Sequence, residues 1–225
     1  MTILPPSVLR ALERFHAAHP WDHNARYHPW IMRQLPRRYG RVLDVGCGSG
    51  DLVRLLAGRS TSSVLGVDSD PVIVDQAREL TFPTLPITFT AADAMTGLSD
   101  GPDSSYDVIT CVAVVHHLPY VDALALFRRQ LAPGGTLVVV GLARAESLVD
   151  HLLGSVAIPA NVVIAWVKNR GRPVARPVAM SAPTRAAEMG FREVVREARR
   201  VLPGCRVRRR LFWRYTLVWR QPVRS

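Results

Sequence analysis

The chain has 225 residues, 48% hydrophobic and 21% charged, which describes a folded globular protein and excludes a disordered one. That length buries one sizeable core with a small appended element, not two full domains. The net charge of +11 is uneven: residues 170–225 hold fifteen arginines against Glu188, Glu193 and Glu197, whereas the first 169 residues sum to −1.

The opening MTILPPSVLRALERF lacks the basic and apolar regions of an export signal. The longest apolar run, 147–167, is broken by Asp150, His151, Pro159 and Asn161, too polar to span a bilayer. Cys47, Cys111 and Cys205 are odd in number and show no ligand-like spacing, which fits free thiols in a reducing cytoplasm. A cytoplasmic protein with no membrane association is therefore expected.

Residues 1–40 read as a helical and irregular cover that contains the aromatic, histidine-rich HPWDHNARYHPW at 19–30. From Arg41 onward, β-branched runs alternate with helical patterns, as in a parallel sheet with crossover helices. The strand candidates are Val42–Val45, Ser63–Asp68, Ile87–Ala91, Tyr106–Val115 and Thr136–Gly141. Between them, Asp51–Ala57, Pro71–Leu80 and Val121–Leu131 carry apolar residues on one helical face, and Gly134–Gly135 reads as a turn feeding the fifth strand. Beyond it, 145–182 is an apolar, then Pro/Arg-rich insertion, Thr184–Leu202 an amphipathic helix, and the tail a hairpin turning near Trp213–Arg214. One domain over 1–225 is expected, with 41–142 as its core, 145–182 as a possible lid and 183–225 as terminal helix and hairpin.

The stretch VLDVGCGSGDL at 42–52 carries the chemistry. A strand running into G-x-G-x-G and a helix sets backbone against a ligand at the strand's carboxyl end. The dinucleotide fingerprint wants a glycine where Asp51 stands, and a diphosphate would meet the carboxylates of Asp44 and Asp51. A cationic ligand is favoured instead.

On these residues the sequence resembles the class I S-adenosylmethionine-dependent methyltransferases, in the small-molecule, type 11/25-like branch. DVGCGSG matches the family's first motif, VLGVDSDP the second strand, AADAM the loop after strand three, YDVITCVAVVHHLP strand four, and LAPGGTLVVV the passage into strand five. The resemblance covers Arg41–Leu142 closely and the hairpin loosely. It implies an α/β fold, a Rossmann-like seven-stranded, mostly parallel sheet with an antiparallel last strand in a three-layer αβα sandwich. It implies S-adenosylmethionine as cofactor. Asp44, Gly46, Gly48 and Gly50 would cradle the methionine end, Asp68 the ribose, Asp93 and Ala94 the adenine, with Val112 and Ala113 alongside through their backbone; Cys47 and Ser69 count among the cofactor-binding residues, Cys47 as a small residue that fits the turn. Bland readings stand beside these: Asp68 as a strand-end turn residue, Asp93 as a turn cap, Asp51 as a helix-dipole acid.

Methyl transfer needs the acceptor held close and in line, and a hydroxyl acceptor gains roughly 10²–10⁴-fold from a base. His116 and His117, just past strand four, are the candidates, one lining the pocket and the other held in the loop; the pair equally reads as a structural feature. Tyr27 and His28 resemble residues that close over the cofactor, and His23 and Tyr27 share a helical face at i, i+4 spacing. His23, His28 and Asp22 have no fourth ligand, so no metal is expected. The apolar residues of 147–168 either pack on the sheet or form a lid.

The expected partner is a small organic methyl acceptor of specialised metabolism. Two rivals remain: an RNA methyltransferase that uses the arginine-rich tail, with Trp213, Tyr215 and Trp219 for stacking, and a non-catalytic cofactor-binding protein. The tail's arginines also read as an edge guarded by charge. The absence of an Asn-Pro-Pro-Tyr-like segment or a Pro-Cys nucleophile argues against DNA base methylation.

Overall fold

The computed structural model describes residues 22–98, 105–146, 162–170 and 186–223, together with 7, 10, 12, 14, 15, 18, 19, 159 and 172. A seven-stranded sheet organises them: β1 (Val42–Val45), β2 (Val64–Asp68), β3 (Ile87–Ala91), β4 (Tyr106–Val112), β5 (Leu131–Leu142), β6 (Arg206–Arg209) and β7 (Arg214–Arg220). Its spatial order is β3-β2-β1-β4-β5-β7-β6. Strands β1 to β5 run parallel, and β7 is antiparallel to both β5 and β6.

Side chains alternate strictly across the sheet. On β5, Leu137 and Val139 enter one core cluster, Val138 and Val140 the other. The first cluster packs against α5 (Tyr120–Gln130) and α6 (Phe191–Val201) through Leu124, Phe127, Val194 and Ala198. The second takes Ile31 from α1 (His28–Gln34), Leu52, Val53 and Leu56 from α2 (Asp51–Ala57), and Val74 and Ala77 from α3 (Pro71–Glu79). Helices thus cover both faces, the three-layer arrangement that buries a parallel sheet. A short α4 (Ala94–Gly97) follows β3. No helix among the described residues is long and apolar enough to cross a membrane.

Several boundaries differ from the sequence expectation, each for a nonlocal reason. β4 stops at Val112 because Ala113 turns left-handed (φ 57°) and Val115–His117 coils into a 3₁₀ turn. β5 begins at Leu131, not Thr136, and Gly134–Gly135 lies inside the strand, where the register against β4 shifts. The amphipathic helix begins at Phe191, with residues 186–190 outside it, because Gly190 bridges to Arg144 and the Arg144 N–H donates to the Met189 carbonyl at 2.8 Å. His23 and Tyr27 do not share a helix. Asp22 accepts the N–H groups of Asn24 and Ala25 (2.6 and 3.1 Å), Ala25–Tyr27 forms a 3₁₀ turn, and α1 starts at His28 with Pro29 in its first turn.

Much of the 145–182 insertion lies outside the described residues. Residues 162–168 are helical, with Ala165 buried in a small cluster with Phe212 while Val163, Trp166 and Val167 are exposed.

Candidate cofactor and active site

Beyond Val45 the chain turns at once. Gly46, Gly48 and Gly50 all have positive φ (72°, 51° and 79°), a region that glycine enters without steric cost. A side chain at Gly46 would collide with Val114, and a Cβ at Gly50 would lie 2.7 Å from the Phe89 ring; at Gly48 nothing lies within 4 Å, so bare backbone fronts open space. The loop's amides are largely occupied by the fold. Gly46 and Cys47 donate to the Val67 carbonyl (2.7 and 3.0 Å), Gly50 to the Cys47 carbonyl (3.0 Å), and Gly48 to the Asp68 carboxylate (2.9 Å). A diphosphate cradle needs such amides as donors, and here they are already engaged.

Asp44 is 2% exposed and stands opposite Thr110 in the β1–β4 ladder. The Thr110 hydroxyl donates to Asp44 Oδ1 at 2.6 Å, and Oδ2 accepts no hydrogen bond from the described residues. Burial pushes this carboxyl up to about 7, the Thr110 bond works against that, and the charge of Asp68 adds to it. Burying a carboxylate is costly unless its charge is paired. A cationic ligand group beside it lowers that cost by pairing with the ionised form. Thr110 escaped the sequence reading because its role comes from strand register.

Asp51 behaves differently from the expectation. Arg54, one helical turn on, pairs with it at 2.6 Å and also donates to the Ser49 carbonyl at 2.9 Å, so the charge at Asp51 is locally neutralised. The anionic character of the loop therefore rests on Asp44 and Asp68. Cys47 is buried, and burial together with Asp44 and Asp68 holds its thiol far above the usual range, so it is a protonated filler.

The other sequence-selected residues gather along the carboxyl ends of adjacent strands. Asp68 ends β2; its Oδ2 takes the Gly48 N–H and its Oδ1 the Asp70 N–H at 3.1 Å. Ser69 beside it is exposed. Asp93 follows β3 and caps α4: Oδ1 accepts from the N–H groups of Met95 and Thr96 and from the Thr96 hydroxyl, while Oδ2 carries none of these bonds. Ala94 behind it is buried. Val112 closes β4, and the Ala113 N–H donates to the Val140 carbonyl at 2.7 Å.

His116 and His117 do not splay apart. Within the 3₁₀ turn their ring centroids lie 4.1 Å apart at a 40° tilt, with His116 half-buried and His117 exposed. Tyr27 and His28 sit in different electrostatic surroundings. Burial lowers the His28 pKa, and the charges of Asp22 and Asp51 oppose the shift. Tyr27 instead senses Arg214, Arg26 and Arg210.

Arg26, Trp30, Arg33 and Phe212, none of them singled out in the sequence, join Tyr27 and two of the tail arginines there. A cleft of about 460 Å³ runs between α1 and the β6–β7 turn, walled by Tyr27, Trp30 and Phe212 and by Arg26, Arg33, Arg209 and Arg210. Arg214, the first residue of β7, pairs with Leu142 at the end of β5, so this cleft belongs to the same carboxyl edge of the sheet as the glycine loop. The signal in sequence was the abutment of arginines and aromatics in RRRLFWR, but its partner segment lies about 180 residues away.

Comparisons with known proteins agree with this geometry. A family profile described as a methyltransferase domain matches residues 42–135. An uncharacterised methyltransferase of Mycobacterium tuberculosis is 32% identical over 205 residues, covering 91% of this chain and 98% of its own length. The trans-aconitate 2-methyltransferase of Streptomyces avermitilis is 36% identical over 124 residues, 52% of this chain and 45% of that enzyme. Among solved structures, a S-adenosylmethionine-dependent methyltransferase of Methanosarcina mazei superposes with a TM-score of 0.58 at 20% identity, over 87% of this chain and 98% of that one. The PH0226 protein of Pyrococcus horikoshii gives 0.61 at 17% identity, over 97% and 100%. These two likenesses are of fold, and the sequence relatives carry the family. The chain belongs to the class I S-adenosylmethionine-dependent methyltransferases, in their type 11/25 branch, and S-adenosylmethionine is its cofactor.

Proposed function

We propose that the enzyme methylates a small organic acceptor of specialised metabolism. The observation that carries this reading is the cleft of about 460 Å³ on the cofactor edge, within the usual range for small-molecule sites. Relatives named for small molecules support it, among them the trans-aconitate enzymes and a ubiquinone biosynthesis O-methyltransferase of Xanthomonas campestris.

Bound S-adenosylmethionine supplies a methyl group on a sulfonium, ready for in-line displacement. The chain's residues hold and orient. Asp44 offers its open Oδ2 to the cofactor's cationic end, and Gly46, Gly48 and Gly50 allow that end to lie on bare backbone. Cys47 fills the turn behind them. Asp68 keeps lone pairs for hydroxyl donors while its existing bonds fix its rotamer, with Ser69 alongside. Asp93 presents Oδ2 beside Ala94 toward the base, and Val112 and Ala113 form the opposite wall. Tyr27 and His28 close the site from α1, and His116 or His117 takes the proton when the acceptor is a hydroxyl.

The RNA reading loses its stacking platform: Tyr215 and Trp219 are 1% and 3% exposed, leaving Trp213 alone at the surface. On α6, Arg196 and Arg200 pair with Glu193 and Glu197. The edge strand β6 exposes Arg206 and Arg208, as a charge-guarded edge does. The test is turnover of labelled cofactor over a panel of small organic acceptors beside bulk RNA. Turnover with a small acceptor supports the reading, and turnover with RNA alone overturns it.

A further inference from the structure

Four arginines surround one cleft in which none of the described lining residues is acidic. Arg26, Arg33 and Arg210 form no ion pair among the described residues, in contrast to the paired arginines of α6. Two of them lean on rings: Arg26 lies 5.9 Å from the Phe212 centroid, and Arg210, whose Nε also donates to the Thr216 hydroxyl, 5.5 Å from that of Trp30. Arg214 interacts electrostatically with Tyr27, burial works against its charge, and its buried Nη1 meets no hydrogen-bond acceptor among the described residues. The turn that carries this group is strained. Phe212 and Trp213 hold φ of 61° and 55°, where hairpins ordinarily place glycine or asparagine, and such outliers persist where surrounding structure or function requires them.

We propose that this cleft recognises the methyl acceptor by an anionic group, a carboxylate or a phosphate ester, carried on a flat apolar body. Like charges gathered around an apolar slot repel one another until an anion enters, and guanidinium forks match carboxylate and phosphate oxygens in pairs. Tyr27, Trp30 and Phe212 supply ring faces and edges for the body. The inference rests on the reading that the acceptor binds at this edge.

The test is calorimetry on the full chain saturated with S-adenosylhomocysteine, using 4-hydroxybenzoate, 4-hydroxyphenyl phosphate and the neutral 4-hydroxybenzamide. At least one anion is expected to bind tenfold or more tightly than the amide, and the stronger of the two identifies the anion class. Arg33→Gln with Arg210→Gln is expected to reduce that preference to under twofold while the affinity for S-adenosylhomocysteine stays unchanged. The milder Arg210→Lys, which keeps the charge, covers the case in which the double variant does not fold, and is expected to weaken the anion severalfold. Equal binding of amide and anions, no binding of either anion at millimolar concentration, or an unchanged preference in the variants overturns the proposal. A failure of S-adenosylhomocysteine itself to bind would strike at the cofactor site and is read separately in the first titration.

Discussion

The Thr110 hydroxyl donates to the Asp44 carboxylate at 2.6 Å from the directly opposite position on the neighbouring strand, and the second carboxylate oxygen has no donor among the described residues. Two residues 66 apart thus fix the orientation of one buried acid. Removing the hydroxyl takes away the interaction that lowers the Asp44 pKa, so burial acts unopposed. Thr110→Val is expected to weaken S-adenosylhomocysteine at pH 7 by about tenfold, the worth of one charge-assisted hydrogen bond, and to weaken it less at pH 9. Titration at both pH values checks this.

The same acid sets a pH dependence of stability with an uncommon sign. Its folded pKa, about 7, lies above its ordinary 3.8, so the folded state holds a proton that the unfolded chain releases. This contribution is fully present below about pH 4 and is lost as pH rises through 7. Asp44→Asn removes the loss and is expected to raise the melting temperature of the cofactor-free protein at pH 8 by a few degrees, with little change at pH 4. Thermal melts across that range measure it.

In the glycine loop, position 46 is closed by Val114 while position 48 faces open space. Both alanine variants meet the left-handed penalty of about 1–2 kcal/mol, and only Gly46→Ala adds a steric clash. Gly46→Ala is therefore expected to lower stability by more than Gly48→Ala, whereas Gly48→Ala is expected to reduce cofactor affinity while leaving the melting temperature within a few degrees. Melts and titrations on the two variants separate the effects.

With a hydroxyl acceptor, the His116→Ala, His117→Ala double variant is expected to lose roughly 10²–10⁴ in kcat, with unchanged affinity for S-adenosylhomocysteine and loss of the acid limb of the pH–rate profile. A kcat within twofold of the parent enzyme would assign the ring pair a packing role.

Much of the fold was legible because the central parallel strands β1, β4 and β5 are buried on both faces and read as apolar runs, and the glycine loop is a contiguous signature. What stayed hidden depends on contacts distant in sequence. The start of α6 at Phe191 is set by the Arg144–Gly190 bridge, and the early start of β5 by its register with β4. The neutralisation of Asp51 by Arg54 needed only i, i+3 spacing and was open to a sequence reading. The arginine cleft was not, since it joins residues 26–33 to 209–212, and its arginines looked in sequence like a guarded edge.

We propose that buried Asp44 anchors the cationic end of the cofactor. Calorimetric titration of S-adenosylmethionine into the parent protein and Asp44→Asn at pH 8 tests it most directly. A loss of roughly 10²–10³-fold, the cost of deleting one partner of a buried charge pair, is the predicted result. Equal affinities in the two proteins would contradict it.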